Sequence, residues 1–485
     1  MHTINRSEAS APSLRHSIGV TIGAAIPALL YLLYVSRYSV NVPNGDDWYI
    51  IPVVNSALHG HLTMSELWTQ YGDRRLFIGR LIFVAFGFID HLDEKSIILF
   101  SAVLFIASYA LLLLLLRAYL GRPLTPACFI LGVVWFSLAD VQNALWSFQL
   151  SWYLTVFCFV LMLYLLLVPR RRRILCLSLG MVVAVVASFS DIQGFNVWPV
   201  GLICILWARP WVRRTYYELV IWISAAVVTV TIYLPGYEPL YSRCRTPTCS
   251  FSYGLQHPDQ FAKFFGLLVG NVVPTSLYDV HPRYVGAHEL LGAIILAWAC
   301  FVVVQSIRER RVQSSPLPVV LIAFAVLFDL YIALGRVGQG LLGAVNNTDH
   351  YTMPNIIMVV GIVIYAWAHT PSLHNLYGPV GLRGWLRSAG LVMLIAYVLA
   401  QTILTTNFGI TNGIATRQER ETAARVVVNL DQIPSAQRAC YFGGLLVNII
   451  DPWRVMAIRD HLSVFQPQAE ILYRAQGPPV FSQCE

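Results

Sequence analysis

Charged side chains are scarce in this chain. Asp, Glu, Lys and Arg make up 12% of its 485 residues, about half of the roughly 25% typical of a soluble globule. That scarcity excludes a string of ordinary soluble domains and a disordered polyelectrolyte alike. Lysine is nearly missing, present only as Lys95 and Lys263. The formal net charge of +8 is therefore carried by arginine, and the arginines lie scattered between apolar runs instead of forming the single basic patch that nucleic acid requires. There is no G-x-x-x-x-G-K-[S/T] loop to cradle a triphosphate and no H-E-x-x-H pair to hold a catalytic zinc. Both absences argue against an ATP-driven pump and a zinc protease, and no tandem repeat of a solenoid is visible.

What the chain has in excess is apolar sequence: 57% of its residues are hydrophobic. Eleven runs stand out, at roughly 18–35, 97–116, 125–139, 150–168, 174–189, 195–208, 219–234, 290–304, 317–334, 353–368 and 389–404. A crossing needs about 20 residues, so the shorter runs must borrow flanking polar residues or sit deep in a bundle. The expected fold class is an all-α polytopic membrane protein with about eleven transmembrane helices. A twelfth run, Leu76 to Ile89, contains Arg80 and Gly87 and follows Asp73, Arg74 and Arg75. The inner sides are marked by Arg170 to Arg173, by Arg209, Arg213 and Arg214, and by Arg308, Arg310 and Arg311. Alternation from those loops back to an N-terminus carrying Arg6 and Arg15 works only if residues 76–89 do not cross, so they read as a juxtamembrane or re-entrant helix. The expected organisation is an inner N-terminus (1–17), a membrane domain (18–406) and a small outer C-terminal tail (407–485) with helix-like runs at Thr416 to Leu430 and Trp453 to Phe465. Of 25 acidic residues only Glu8, Glu218 and Glu309 fall inside on this scheme. Ser36, Arg37 and Tyr38 follow the first run directly and give no small-residue cleavage site, which suits an uncleaved anchor.

Five of the nine cysteines lie in or beside spans, whereas Cys244 with Cys249, and Cys440 with Cys484, lie in outer segments. In an oxidising compartment the close pair, Cys244 and Cys249, reads as a disulfide; four free thiols is the alternative.

Ionisable residues beside spans are candidates for function because burying them is costly. They gather on the outer side: Asp46 and Asp47 after the first span, Asp73, Arg74, Arg75 and Arg80 at the juxtamembrane helix, and Asp140, Gln142, Asn143 and Gln149 in the second outer loop. Asp191 and Gln193 follow the fifth span; Asp329, Arg336, Asp349, His350 and Tyr351 lie around the ninth and tenth. Paired acids with separate arginines suit a reaction in which a hydroxyl loses a proton and an anionic group departs, since the guanidinium fork grips phosphate. Simpler readings stand beside these: a turn after Pro43-Asn44-Gly45 for the acid pair, lipid snorkelling for Arg74 and Arg75, a solvated loop acid for Asp140, and an interface belt for most aromatics. Trp146, Trp152 and Trp198 are placed to stack on a sugar. The acid pair offers oxygens to a divalent metal, but nothing in the sequence requires a metal or other cofactor.

Asn44-Gly45-Asp46-Asp47-Trp48, Asp73-Arg74-Arg75-Leu76-Phe77 before a non-crossing helix, and Asp140-Val141-Gln142-Asn143 resemble the pattern of GT-C class membrane glycosyltransferases, although the Pro-Pro pair of two of its branches is missing. Trp146-Ser147-Phe148-Gln149, Gln193-Gly194 with Trp198-Pro199, Gly335-Arg336, and Asp349-His350-Tyr351 bring the chain closer to a group of uncharacterised bacterial multi-spanning proteins regarded as glycosyltransferases. The resemblance covers residues 18–404 and is architectural. It implies a GT-C-like fold in the bacterial inner membrane and an inverting transfer from a polyprenyl-phosphate-linked sugar to an outer envelope glycan, lipid or protein. One acid of Asp46 and Asp47 would be the base. Asp73, Arg74, Arg75, Asp140, Asn143, Gln193, Arg336, His350 and Tyr351 would bind substrates. A transporter or flippase for a lipid-linked glycan, or a non-catalytic assembly protein of the envelope, remains as the alternative.

Overall fold

A computed structural model describes residues 14–121, 124, 128–168, 172–208, 212–238, 251–274, 282–309, 315–339, 351–369, 382–434, 437–438 and 447–479. Among them 85% are helical and none forms a strand. α1 (Leu14–Tyr38) is followed by a 3-10 turn, Gly45–Ile50, and by three short helices, α2 (Ile51–Leu58), α3 (Met64–Trp68) and α4 (Phe77–Asp90). Next come α5 (Glu94–Leu120), α6 (Cys128–Trp135), α7 (Val141–Ala144), α8 (Leu150–Leu167), α9 (Arg173–Ser190), α10 (Val197–Ala208) and α11 (Arg213–Tyr233). The remainder holds α12 (Phe251–Gln256), α13 (Pro258–Gly270), α14 (Pro282–Arg308), α15 (Leu317–Arg336), α16 (Thr352–His369), α17 (Leu382–Val428), α18 (Val447–Arg459) and α19 (Pro467–Gln476).

Nine of the described helices, α1, α5, α8, α9, α11, α14, α15, α16 and α17, are long and apolar enough to cross a bilayer. The chain is a multi-pass α-helical membrane protein. Among the described residues two of the eleven expected spans contain only shorter helices. Residues 125–139 contain the eight-residue α6, after which the Ser137 hydroxyl oxygen accepts the Ala139 N–H at 3.3 Å and helps turn the backbone out of the helix. Residues 195–208 contribute to an apolar helical segment, Ile192–Trp207, that is too short to join the nine. α4 has 14 residues, about 21 Å against a hydrocarbon core of about 30 Å. It stops at His91, which adopts a left-handed conformation.

α5 shows how sequence sets the limits of a span. The Asp93 side chain accepts the N–H groups of Lys95 (2.8 Å) and Ser96 (3.2 Å), and Gly121 closes the other end at φ +62°. Between those caps every residue except Lys95, Glu94 and Arg117 is uncharged. The bundle core is strongly aromatic: Phe159 stacks on Phe324 at 3.9 Å, Phe105 on Trp135 at 5.2 Å, and Trp198 lies 5.0 Å from Trp222. The indole N–H groups of this last pair are satisfied within the bundle, Trp222 donating to the Trp198 carbonyl and Trp198 to the Ser188 hydroxyl. Trp198 is thereby packed inside the bundle, buried against Trp222.

α17 departs most from expectation. It runs without a break for 47 residues, about 70 Å, so the boundary at 406/407 falls inside one helix. The Gly- and Asn-containing stretch after Thr405 does not end it because tertiary packing claims those glycines: Gly409 lies against Leu138 and Gly413 against Tyr34, where any side chain would collide. The Tyr34 hydroxyl also donates to the Gly409 carbonyl at 2.7 Å.

Beyond the bundle, the first loop and the C-terminal segment build a second core together. Trp48, Ile51, Val54, Leu67 and Phe83 pack with Val427, Ile450, Ala457, Leu462 and Phe465. Asn41 donates to the Ser463 carbonyl and accepts from its hydroxyl, Asn55 donates to Asp460, and Gln466 donates to the Asp90 carbonyl. The first loop and the tail therefore share one side of the bundle. At the other end Arg173 pairs with Glu218 at 2.7 Å and His369 with Glu309 at 2.8 Å.

Candidate functional site

Gly45, at φ +51°, turns the chain after Asn44 and starts the 3-10 helix that carries the acid pair. Such a helix has about three residues per turn, so adjacent side chains point about 120° apart. Asp47 turns inward and is 1% exposed. Its Oδ1 accepts the Ser147 hydroxyl at 2.7 Å, and its Oδ2 accepts the Asn44 N–H at 2.9 Å and the Trp146 indole N–H at 3.1 Å. Burial pushes its carboxyl up to about 7, against the pull of those hydrogen bonds and of Arg420, while Asp46 adds to the rise. Asp46 faces the other way with its side chain 32% exposed, 4.0 Å from the Arg74 guanidinium. The Tyr71 phenol is held above its usual range by burial and by the nearby Asp46 carboxylate.

Arg74 is the centre of the group. Its Nη1 meets Asp191 Oδ2 at 2.9 Å, and its guanidinium lies 5.2 Å from the centre of the Phe148 ring. Asp191 is almost fully buried and also accepts the Gln193 N–H at 3.2 Å and the Ser151 hydroxyl at 3.5 Å. Burial raises the Asp191 carboxyl above the usual range, and Arg74 works against that rise. Gly194 packs against the Ala187 carbonyl with no space for a Cβ, which explains the Gln-Gly pair. Tyr351 lies within electrostatic reach of Arg336, Arg74, Asp73 and Asp191, and burial is the largest reason that its phenol is raised. Segments distant in sequence thus converge on one guanidinium: the turn at Asp46, the Tyr71–Arg74 turn, the start of α8, the α9–α10 junction, and the facing ends of α15 and α16.

No protein-family model, curated protein or solved structure matches this chain. Its site is therefore read from its own geometry.

The candidates from sequence divide into groups. Asp46, Asp73, Arg74, Gln193, Arg336 and Tyr351 come together, Gln193 through its backbone contact with Asp191. Arg75 turns away: its guanidinium donates to the carbonyls of Trp68 (2.8 Å) and Pro235 (2.7 Å), and its own N–H donates to Tyr233. Arg80 donates to the carbonyls of Glu66, Leu67 and Thr69, closing the C-terminal end of α3. Asp140 accepts from the Asn143 amide at 2.7 Å and lies electrostatically near Tyr31 and Tyr153, a buried set apart from Arg74. Cys244, Cys249, Asp349 and His350 lie outside the described residues. For a divalent ion the donor set fits poorly, since Asp46 and Asp47 diverge and no three His, Cys, Asp or Glu side chains gather among the described residues.

Sequence reading under-weighted Asp191, the direct partner of Arg74, and passed over Tyr71, Ser147 and Ser151. Asp191 had a signal, as the acid that ends one apolar run and starts the next. The serines had none: Ser151, inside an apolar run, reads as ordinary helix packing, and Ser147 lies between two runs with nothing in the sequence to aim it at Asp47.

Proposed function

We propose that the chain is a GT-C-like membrane glycosyltransferase that moves a sugar from a polyprenyl-phosphate carrier to an acceptor hydroxyl on the face where the Arg74 group lies. The observation that carries this reading is the pairing of a half-open carboxylate, Asp46, with a guanidinium, Arg74, that Asp191 holds in place. Asp46 takes the acceptor proton and the acceptor oxygen attacks the anomeric carbon. The bond from that carbon to the phosphate oxygen breaks with inversion, and the phosphate leaves with the electron pair. Arg74, with Arg336 across the group, stabilises the charge on the departing oxygen. Asp47, with both oxygens occupied, is a positioning residue that fixes the turn from which Asp46 projects.

Alternating contacts support eleven crossings. Residues near Asp46, Ser147, Asp191, Tyr233, Arg336 and Thr352 share the face of the site, whereas Arg173, Glu218, Glu309 and His369 share the opposite end. The arginine-rich loops favour the cytoplasm for that opposite end and the outer face for the site, and our reading takes the membrane to be a bacterial inner membrane. Nucleotide sugars stay on the cytoplasmic side, so a carrier already flipped across the bilayer is the donor available to this site.

One observation favours a transporter instead: Asp329, inside α15, is wholly buried opposite Asn355, and acids within spans commonly mark transport paths. Mass spectrometry of lipid carriers and envelope glycans from a deletion strain separates the two. The transferase reading expects polyprenyl-phosphate-linked sugar to accumulate and a glycan to lose one residue, with wild type but not Arg74→Ala restoring it. Accumulation of a complete lipid-linked glycan overturns that reading in favour of the transporter.

A further inference from the structure

Arg74 and Arg75 are neighbours in the segment between α3 and α4 whose side chains serve different sides of it, and the side served by Arg75 opens on a separate cavity of about 340 Å³. Ser65, Trp68, Thr69, Gln70, Arg75 and Glu238 contribute to its lining. Arg75 is 3% exposed and lies over the rings of Trp68 (5.0 Å) and Tyr233 (5.8 Å). Both hydrogen-bond partners of its guanidinium are neutral carbonyls, and Nε meets none. Among the described residues no carboxylate lies within ion-pair distance of it. The stretch that follows Glu238 in sequence, residues 239–250, contains two arginines and no acid. A buried cation without a counter-charge is costly, and ring faces offset only part of that cost. Among the described residues that charge meets only neutral carbonyls and ring faces, and it borders a space large enough for a ligand.

We propose that this cavity binds the phosphodiester group of a membrane lipid, with Arg75 as its charge partner and the Ser65 hydroxyl as a neutral donor. Thr69 and Gln70 build the wall: Thr69 donates to the Ser65 carbonyl, while Gln70 bridges Gly72 and Glu238. The location suits a lipid. The wall at Pro235 directly follows the end of α11, where Ile232 and Leu234 are exposed and apolar, as they are at the edge of a bilayer. Glu238 on the rim selects by charge, since it repels the second negative charge of a monoester more than the single charge of a diester. A phospholipid headgroup and a carrier-linked sugar phosphate both present this group. Binding here does not rest on the transferase reading, because it is read without turnover.

The test uses the full chain in detergent and native mass spectrometry with three probes: dioleoylphosphatidylglycerol, farnesyl-phosphoryl-glucose and farnesyl phosphate. At least one of the two diesters should bind better than the monoester, and Glu238→Gln should narrow that gap. Ser65→Trp, which fills the cavity while leaving the Arg75 side chain in place, should weaken diester binding by about tenfold or more at an unchanged Tm. Ser65→Asp, which adds a negative charge there, should do the same and serves if the tryptophan variant does not fold. Tighter binding of the farnesyl diester identifies the carrier as the source; tighter binding of phosphatidylglycerol identifies a bilayer lipid. Failure of both diesters to bind, preference for the monoester, or wild-type diester binding by a folded Ser65 variant overturns the proposal.

Discussion

Two adjacent aspartates on a tight turn meet different environments, and each supports its own prediction. Asp46→Asn removes the half-open carboxylate beside Arg74; transfer should fall about 100-fold or more, the range for loss of a positioned base, while Tm stays within a degree or two of wild type. Retained activity at normal expression would remove Asp46 from the mechanism. Asp47 speaks through stability. Its folded-state value, about 7, lies above the ordinary carboxylate value of about 3.9. The sign follows: the contribution of this group is fully present below the unfolded value and is lost as pH rises through 7, on the order of 2 kcal/mol between pH 5 and pH 8. Asp47→Asn lacks that dependence, so the Tm of wild type minus that of the variant should shrink from pH 5 to pH 8. A constant difference would show that Asp47 does not titrate there. The acid pair itself was legible in Asn44-Gly45-Asp46-Asp47. Which acid faces the site was not, because Trp146 and Ser147, about a hundred residues away, decide it.

At the scale of elements, sequence reading succeeds where a helix is bounded by local chemistry and fails where packing sets the limit. α5 begins and ends at its Asp93 and Gly121 caps, both readable. α4 is readable as a helix too short to join the nine crossing candidates, and its Arg80 side chain is held by the carbonyls at the end of α3. α17 is not readable as one helix, since Gly409 and Gly413 look like breakers until Leu138 and Tyr34 are seen against them. The short course of α4 gives a labelling prediction. Single cysteines at His61, His91 and Arg474, all on exposed or half-exposed positions, should react with an impermeant maleimide from the same side of the membrane. Reaction of residues 61 and 91 from opposite sides would mean that α4 crosses.

For the whole molecule, the second core makes the tail a structural part of the site's support instead of an appendage. Leu462 is fully buried in it, and Leu462→Ala should cost about 2–4 kcal/mol, seen as a lowered Tm and easier proteolysis of the first loop. If the first loop keeps its protease resistance while the tail is cut, the two do not depend on each other. That core also joins the earliest and latest parts of the chain. Roughly 330 residues separate the first loop from its partner on α17, and at about 5–20 residues per second the ribosome needs on the order of 15 to 70 s to make them. Throughout that interval Trp48, Ile51 and Phe83 have emerged without the surface they will finally cover. Birth order thus gives the earliest-made loop the longest wait, and the machinery around Arg74 acquires its complete support only after the last crossing helix has been synthesised.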